Sequence, residues 1–407
     1  MAGSQPLSNL IIYRGLLKDG LVQKMQALAA GAAGETGFEL AAGLVAKAEQ
    51  LGLAGDLWPA YLIHLIAQDE NAFSTTVGKT GGHIGDGLTR ALLHDLALLR
   101  PFARTVPAHP AAAFIGGFSP TVADAQPAFV ALRDAFLGPA GDRELADLLV
   151  DYYSRHGCGK AAGFAAFRWD ETGGLAGIKH PDDSSFEDIV GYDYQKGVLR
   201  QNTEAFLAGR PANNILLVGA RGTGKSSCVK ALIPQYFGQG LRLVEVSKHQ
   251  LRHLHQILDA LRGRSQKFIV FLDDLSFEEN ETEYKHLKSA IEGGVEAKPD
   301  NVLIYATSNR RHLIRESWQD REGGQDIHSL DSVHEKISLA DRFGIILTYP
   351  APDQSEYLKI VEAIAKKHAV DLPADELKKL ALRWEMSHSG RSGRVAQQFV
   401  KHIMGNN

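Results

Sequence analysis

The sequence predicts an α/β fold: a parallel sheet of five strands between helices, preceded by a mostly α-helical N-terminal domain and followed by a small helical lid. Three observations lead there. Five short runs dominated by branched apolar residues, at 215–218, 241–246, 268–272, 302–306 and 345–348, alternate with helical patterns. Near-continuous apolar strands in such an alternation indicate a parallel sheet covered on both faces. The segment Gly219-Ala220-Arg221-Gly222-Thr223-Gly224-Lys225-Ser226 follows the first run directly and satisfies GxxxxGK(S/T) at every fixed position. Ahead of all this, residues 1–180 carry Ala and Leu at helical spacing.

In chain order, the N-terminal domain shows apolar stripes such as Leu40, Ala41, Leu44, Val45 and Ala48, and later Leu92, Leu93, Leu96 and Leu98. Gly- and Pro-bearing breaks at 31–37, 80–87 and 107–120 separate its helices. His64, His83, His94 and His109 show no metal-ligand spacing and read as ordinary surface or core histidines. The aromatic, basic and glycine-rich stretch 152–159 reads as packing at a domain junction. The polar segment 179–185, which contains a proline, marks the change of character. The domains expected are therefore 1–180, 183–350 and 351–407. The last is purely helical over 353–404, with stripes at Tyr357, Leu358, Ile360, Val361, Ile364 and at Leu377, Leu380, Leu382, Trp384.

Bulk properties narrow the class. The 407 residues carry a formal charge of −4, so no basic field for nucleic acid is indicated. Two cysteines, Cys158 and Cys228, do not make a disulfide framework and point to a reducing compartment. No apolar run reaches membrane-spanning length and no signal peptide is evident. A cytoplasmic protein without membrane contact is expected.

The chemistry begins at the glycine-rich loop. Its glycines let backbone N–H groups curl around an anion, Lys225 reaches β- and γ-phosphates, and the Ser226 hydroxyl is placed to hold Mg²⁺. Ser227 opens a helix expected over 227–232, whose positive end faces the phosphates. A nucleoside triphosphatase also needs a carboxylate at a neighbouring strand tip, and Phe268-Ile269-Val270-Phe271-Leu272-Asp273-Asp274 supplies it in a Walker B pattern. Asp273 takes the magnesium position. Asp274 stands where a water-activating glutamate is usual, one methylene shorter, so either Asp274 or Glu278, one turn on, is the base. Asn309, at the end of the next strand, is placed to orient the attacking water. Arg342, in Asp341-Arg342-Phe343 just before the last strand, would reach the γ-phosphate of a neighbouring subunit.

Walker A, Walker B, sensor asparagine, the arginine before the last strand and a C-terminal lid occur here in the order of the AAA+ ATPases, which residues 183–404 resemble as a set. Within that superfamily, 271–278, 306–312 and 390–395 look like an uncharacterised bacterial ATP-binding family, a domain of unknown function. The resemblance implies that 186–192, with Val190 and Gly191, lies beside adenine. It implies a lid arginine in Gly390-Arg391-Ser392-Gly393-Arg394, with Arg394 favoured over Arg391 because it starts the last helix. It also implies ATP and Mg²⁺ as ligands and a homo-oligomer, head to tail or a ring such as a hexamer. The segment 247–255, after the second strand, lacks the aromatic and glycine of polypeptide-threading loops, which disfavours threading. Its Lys248, His249, Arg252, His253 and His255 read as a solvated face. The function expected is an ATP-hydrolysing module that remodels or loads an unknown protein partner through its N-terminal domain. The alternatives are a slow nucleotide-gated switch and an ATPase associated with nucleic acid, akin to initiators and helicase loaders. A kinase or nucleotide transferase lacks an evident acceptor-binding insertion.

Overall fold

The computed structural model describes residues 7–32, 34–122, 127–159, 162–170, 174–277, 283–292, 298–309, 340–388 and 390–406. The chain divides into two compact units. One comprises Met1–Gly163 with Gly263–Gln266, the other Phe164–Arg262 with Lys267–Asn407.

The first unit is helical. Its helices are α1 (Gly20–Ala29), α2 (Glu35–Leu51), α3 (Leu57–Gln68), α4 (Ala72–Thr80), α5 (Asp86–Ala103), α6 (Pro127–Leu137) and α7 (Asp142–His156). Local chemistry sets their ends. The Asp19 carboxylate accepts the backbone N–H groups of Leu21 and Val22 to start α1, Asn71 and Ser74 form a capping box at α4, and left-handed Gly52 and Gly81 stop α2 and α4. The three expected breaks fall between α1 and α2, between α4 and α5, and around a 3₁₀ turn at Pro110–Phe114. The stripe on α2 buries Leu40, Ala41, Leu44 and Ala48. α3 packs against α2, α5, α6 and α7, so it is apolar nearly all round and buries Leu57, Trp58, Tyr61, Leu62, Ile63 and Ile66. Tyr153, from the aromatic stretch at 152–159, belongs to this core.

The second unit is built on a sheet of β1 (Ala166–Asp170), β2 (Gly174–Gly177), β3 (Ile215–Gly219), β4 (Leu241–Glu245), β5 (Lys267–Leu272), β6 (Val302–Ser308) and β7 (Ile345–Tyr349). Its order is β2-β1-β4-β5-β6-β3-β7. All neighbours are parallel except β1 and β2. The five expected strands are present, and the sheet is seven-stranded. The correction comes from a hairpin, Ala166-Phe167-Arg168-Trp169 and Gly174-Leu175-Ala176-Gly177, that adds to the β4 edge. Only Ala166 and Phe167 of this hairpin are buried, so it shows neither an apolar run nor a sustained alternation. The sheet unit thus starts at Phe164, ahead of the polar segment at 179–185.

Central strands are buried throughout: β6 from Val302 to Ser308 and β5 from Phe268 to Leu272. From β3 the chain crosses to β4, returns through β5 and β6, and places β7 on the far side of β3. The order reverses at β3, and at the carboxyl ends of strands beside such a reversal an open α/β sheet forms its ligand crevice. The helices between and beside these strands are α8 (Asp193–Leu207), α9 (Lys225–Lys230), α10 (Leu232–Tyr236), α11 (Leu254–Leu261) and α12 (Glu283–Glu292), and after β7 the lid is α13 (Gln354–Lys367), α14 (Ala374–Met386) and α15 (Gly393–Asn406). Lid packing is carried by Tyr357, Val361, Ala381, Ala396 and Phe399. Of the described helices, none is long and apolar enough to cross a membrane.

Candidate functional site

The chain leaves β3 through the glycine-rich loop because the backbone there enters regions closed to other residues. Gly219 has φ 148°, and a Cβ on it would lie 1.9 Å from the Tyr349 carbonyl oxygen of the adjacent β7. Gly224 takes φ 85° as the residue before α9. The helix expected over 227–232 begins two residues earlier, at Lys225, which brings its free N–H groups and positive end up to the loop.

Lys225 is 6% exposed. Its ammonium donates to the Gly219 and Ala220 carbonyls at 2.9 and 2.7 Å and to Asn309 Oδ1 at 3.1 Å. Burial lowers its pKa from the ordinary lysine range, and Asp274 and Asp273 act in the opposite direction. The Ser226 hydroxyl donates to Asp273 Oδ1 at 2.5 Å. Asn309 Nδ2 donates to Asp274 Oδ1 at 2.5 Å. The loop, both acids of the Walker B strand and the strand-tip asparagine therefore form one hydrogen-bonded group at the carboxyl ends of β3, β5 and β6.

A cleft of about 550 Å³ opens onto this group, inside the roughly 300–1,000 Å³ range of small-molecule sites. Arg221, Gly222, Thr223, Gly224, Lys225, Ser226 and Ser227 line it from the loop, and Asp273, Asp274, Thr307 and Asn309 from the strand tips. Asp188, Ile189, Val190 and Tyr192 line a further wall, and Ile360, Ile364, Gly393, Arg394 and Gln397 close it from the lid. The lid is tied down on both sides. Gly393 N–H donates to the Gly222 carbonyl at 2.9 Å, and Lys367 pairs with Asp188 at 2.5 Å. That lysine holds the Asp188 carboxyl below its ordinary range.

Most residues singled out in the sequence meet here. Gly219 and Ala220 form the base of the loop without facing the cleft, and Gly191 supplies a left-handed turn (φ 79°) between Val190 and Tyr192. Of the two lid arginines, Arg394 lines the cleft, whereas Arg391 donates to Glu385 at 3.0 Å. Arg342 is half-buried just ahead of β7 and is not part of the cleft wall. Glu278 lies outside the described residues, as do 310–312. Thr307 was not singled out. It is 2% exposed, and its hydroxyl donates to Asp273 Oδ1 at 2.6 Å and accepts the Asp274 N–H at 2.9 Å. The polar pair Thr307-Ser308 at the end of a mostly apolar strand is the available signal.

The segment after β4 forms a 3₁₀ turn at Lys248–His253 leading into α11. Among the described residues no group of three or more His, Cys, Asp or Glu is arranged to hold a metal ion. In the helical unit, His83, His94 and His109 hydrogen-bond to backbone oxygens.

A glycine-rich loop at the switch point of a parallel sheet, acids at the tip of the strand once removed, a polar tip between them and a helical lid over the cleft together make up the candidate site. Residues 162–407 match the family described as "Protein of unknown function (DUF815)", and the chain belongs to that family. No curated protein matches it. Among solved structures, the Holliday junction branch migration motor RuvB of Thermotoga maritima is 18% identical over 55% of this chain and 64% of that one, with a TM-score of 0.38. A mutant of the same protein matches at 18% identity over 55% and 65%, with a TM-score of 0.39. The matched part is less than two thirds of the length of those structures, and the motor activity in that name is RuvB's.

Proposed function

We propose that this protein binds ATP in the cleft and hydrolyses it at an interface between subunits, coupling turnover to the remodelling or loading of a partner engaged by its helical N-terminal domain. One observation carries the reading: Lys225, Ser226, Asp273, Asp274 and Asn309, drawn from three strand tips, converge on a single cleft. Positioning and charge stabilisation account for most of the catalysis of phosphoryl transfer, and this set offers both.

The residues fit a hard divalent cation, because Ser226 Oγ and Asp273 present oxygen donors side by side. When bound, Mg²⁺ would neutralise developing charge on the phosphates. The protein's own groups do the rest. Lys225 holds the β- and γ-phosphates, Asn309 orients water, and Asp274 accepts its proton, with Glu278 as the other candidate base. Arg394 touches the γ-phosphate within the subunit, and Arg342 is offered to the site of a neighbour. The proposed division of labour is the helical unit up to residue 163 for the partner, 164–350 for the nucleotide and 351–407 as lid, in a cytoplasmic homo-oligomer.

ATP turnover measured against protein concentration tests this. A rate per subunit that rises with concentration, and that Lys225→Ala abolishes, supports the shared site. A concentration-independent rate that survives Arg342→Ala defeats it. A second reading, a slow nucleotide-gated binding protein, draws on Asp274, which is shorter than the usual glutamate and already hydrogen-bonded to Asn309. Tight ATP binding with turnover below about 10⁻² s⁻¹ at every concentration would favour it. The initiator-like reading rests on the basic and histidine residues of 248–255 alone, and the net charge of −4 speaks against it.

A further inference from the structure

We infer that Thr307 is a positioning residue that sets both acids of the Walker B strand, and that its hydroxyl, not its bulk, performs this role. The inference rests on the nucleotide reading above. The ladder between β5 and β6 pairs Leu272 with Ala306 as its last match, so the next residues, Asp273 and Thr307, stand opposite each other just where β5 ends. Thr307 continues the pairing with three bonds to three consecutive residues. Its hydroxyl donates to Asp273 Oδ1 at 2.6 Å, the same oxygen accepts Asp274 N–H at 2.9 Å, and its carbonyl accepts Leu275 N–H at 2.7 Å. A hydroxyl has one proton and two lone pairs, so donating to one acid and accepting from the next uses it in the only combination that serves both.

Two consequences follow for the acids. Asp273 Oδ1 takes Thr307 Oγ1, Ser226 Oγ and Asp274 N–H, so among the described residues the protein's donors converge on one carboxylate oxygen. Oδ2 is the oxygen left for a cation. Asp274 sits at φ 50°, a left-handed conformation that residues other than glycine adopt uncommonly. Its N–H held by Thr307 and its carboxylate held by Asn309 stabilise that turn. The turn also sets where the shorter acid points, which is the variable on which its service as a base depends.

The test separates hydroxyl from bulk. Thr307→Val keeps the β-branched shape on a buried strand and removes the hydroxyl. Thr307→Ser and Thr307→Ala differ from each other by the hydroxyl alone and serve if the valine variant fails to accumulate. ATP affinity is measured by calorimetry with and without Mg²⁺, alongside kcat and KM. Without Mg²⁺ all variants should bind ATP within about twofold of the unaltered protein, because the P-loop is untouched. With Mg²⁺, Val and Ala should lose about tenfold or more in affinity and about 10²-fold in kcat, while Ser stays within about threefold on both. Val or Ala with unaltered Mg²⁺ dependence and kcat overturns the inference, as does Ser impaired to the same extent as Ala. If the unaltered protein binds no ATP, the nucleotide reading itself falls; if it binds ATP with the help of Mg²⁺ and Thr307→Val is indifferent, only the role of Thr307 falls.

Discussion

The helical unit and the sheet unit both bury polar side chains, but they satisfy them differently. In the helical unit Asp95 is completely buried and accepts the backbone N–H groups of Ile11, Ile12 and Tyr13 at 2.8, 2.8 and 2.9 Å. The Tyr153 hydroxyl donates to the Ile66 carbonyl, and the Trp58 indole to that of Phe102 at 3.0 Å. In the sheet unit the buried Thr307 and the half-buried Ser226 bond to the exposed Asp273 side chain, and the buried Lys225 bonds to the Gly219 and Ala220 carbonyls and to Asn309 beside Asp274. Backbone partners enclosed in a packed helical core stay in place as long as the fold persists, so the first arrangement holds a structure in place. Partners around an open cleft, the loop carbonyls on Lys225 included, can be exchanged for a ligand's atoms, so the second can do chemistry. Buried polarity alone does not mark a site; its place beside an open cleft does.

The comparison can be broken at either end. The largest effect on stability is expected from Asp95→Ala, which strands the N–H groups of Ile11, Ile12 and Tyr13, the last two buried, and should cost about 3 kcal/mol, read as a lower midpoint in urea. ATP affinity of the folded fraction should stay within about twofold. An unchanged midpoint would mean that Asp95 does not hold the 11–13 segment.

At the other end, Lys225→Ala should lower ATP turnover by about 10³-fold with a midpoint shift under about 1 kcal/mol. A large loss of stability in this variant would make the lysine structural and erase the contrast. Asp274→Asn should bind ATP normally and turn over about 10²-fold more slowly. If its rate is unchanged, Glu278 becomes the base. Arg342→Ala should cost about tenfold or more in turnover at high protein concentration, without altering ATP affinity at low concentration.

The smallest effect sharpens the helical side. Burial, and to a lesser extent Lys47, push the His64 pKa down to about 4. The unfolded chain, with its histidine near 6.5, then binds a proton that the folded chain does not, so stability should fall as pH drops from about 6.5 towards 4. His64→Leu should flatten part of that slope in pH-dependent denaturation, and an identical slope would show that carboxylates account for it.

Much of this was legible in the chain because local signals and tertiary structure agreed. Four of the five core strands read as apolar runs because they are buried on both faces, whereas β7, at the sheet edge, is apolar in sequence but buried only at alternate positions. Lys225, Ser226, Asp273 and Asn309 were legible as candidates because the proposed phosphate and cation chemistry demands those types at strand tips, and the structure brings them to one cleft. The β1–β2 hairpin was not, since Arg168 and the glycines Gly174 and Gly177 break any pattern of period two, and β1 pairs with a neighbour, β4, whose partner residues lie 77 positions on. Arg391 and Arg394 are chemically alike, and only the Glu385 partner and the course of α15 tell them apart.

By itself the sequence determined where the candidate site lies, because GxxxxGK(S/T) after an apolar strand constrains backbone and side chains within eight consecutive residues. It also determined the fold class, because the alternation of buried strands and helices is written at the scale of one turn or one strand. Only the tertiary structure decided which distant groups share an atom: that Asp273 Oδ1 is common to Ser226 and Thr307, that Asp274 adopts a left-handed turn beneath Asn309, and that the lid meets the loop at Gly222 and Gly393. Those contacts follow from strand register and order, which are settled by packing the whole sheet and cannot be read from any window of it.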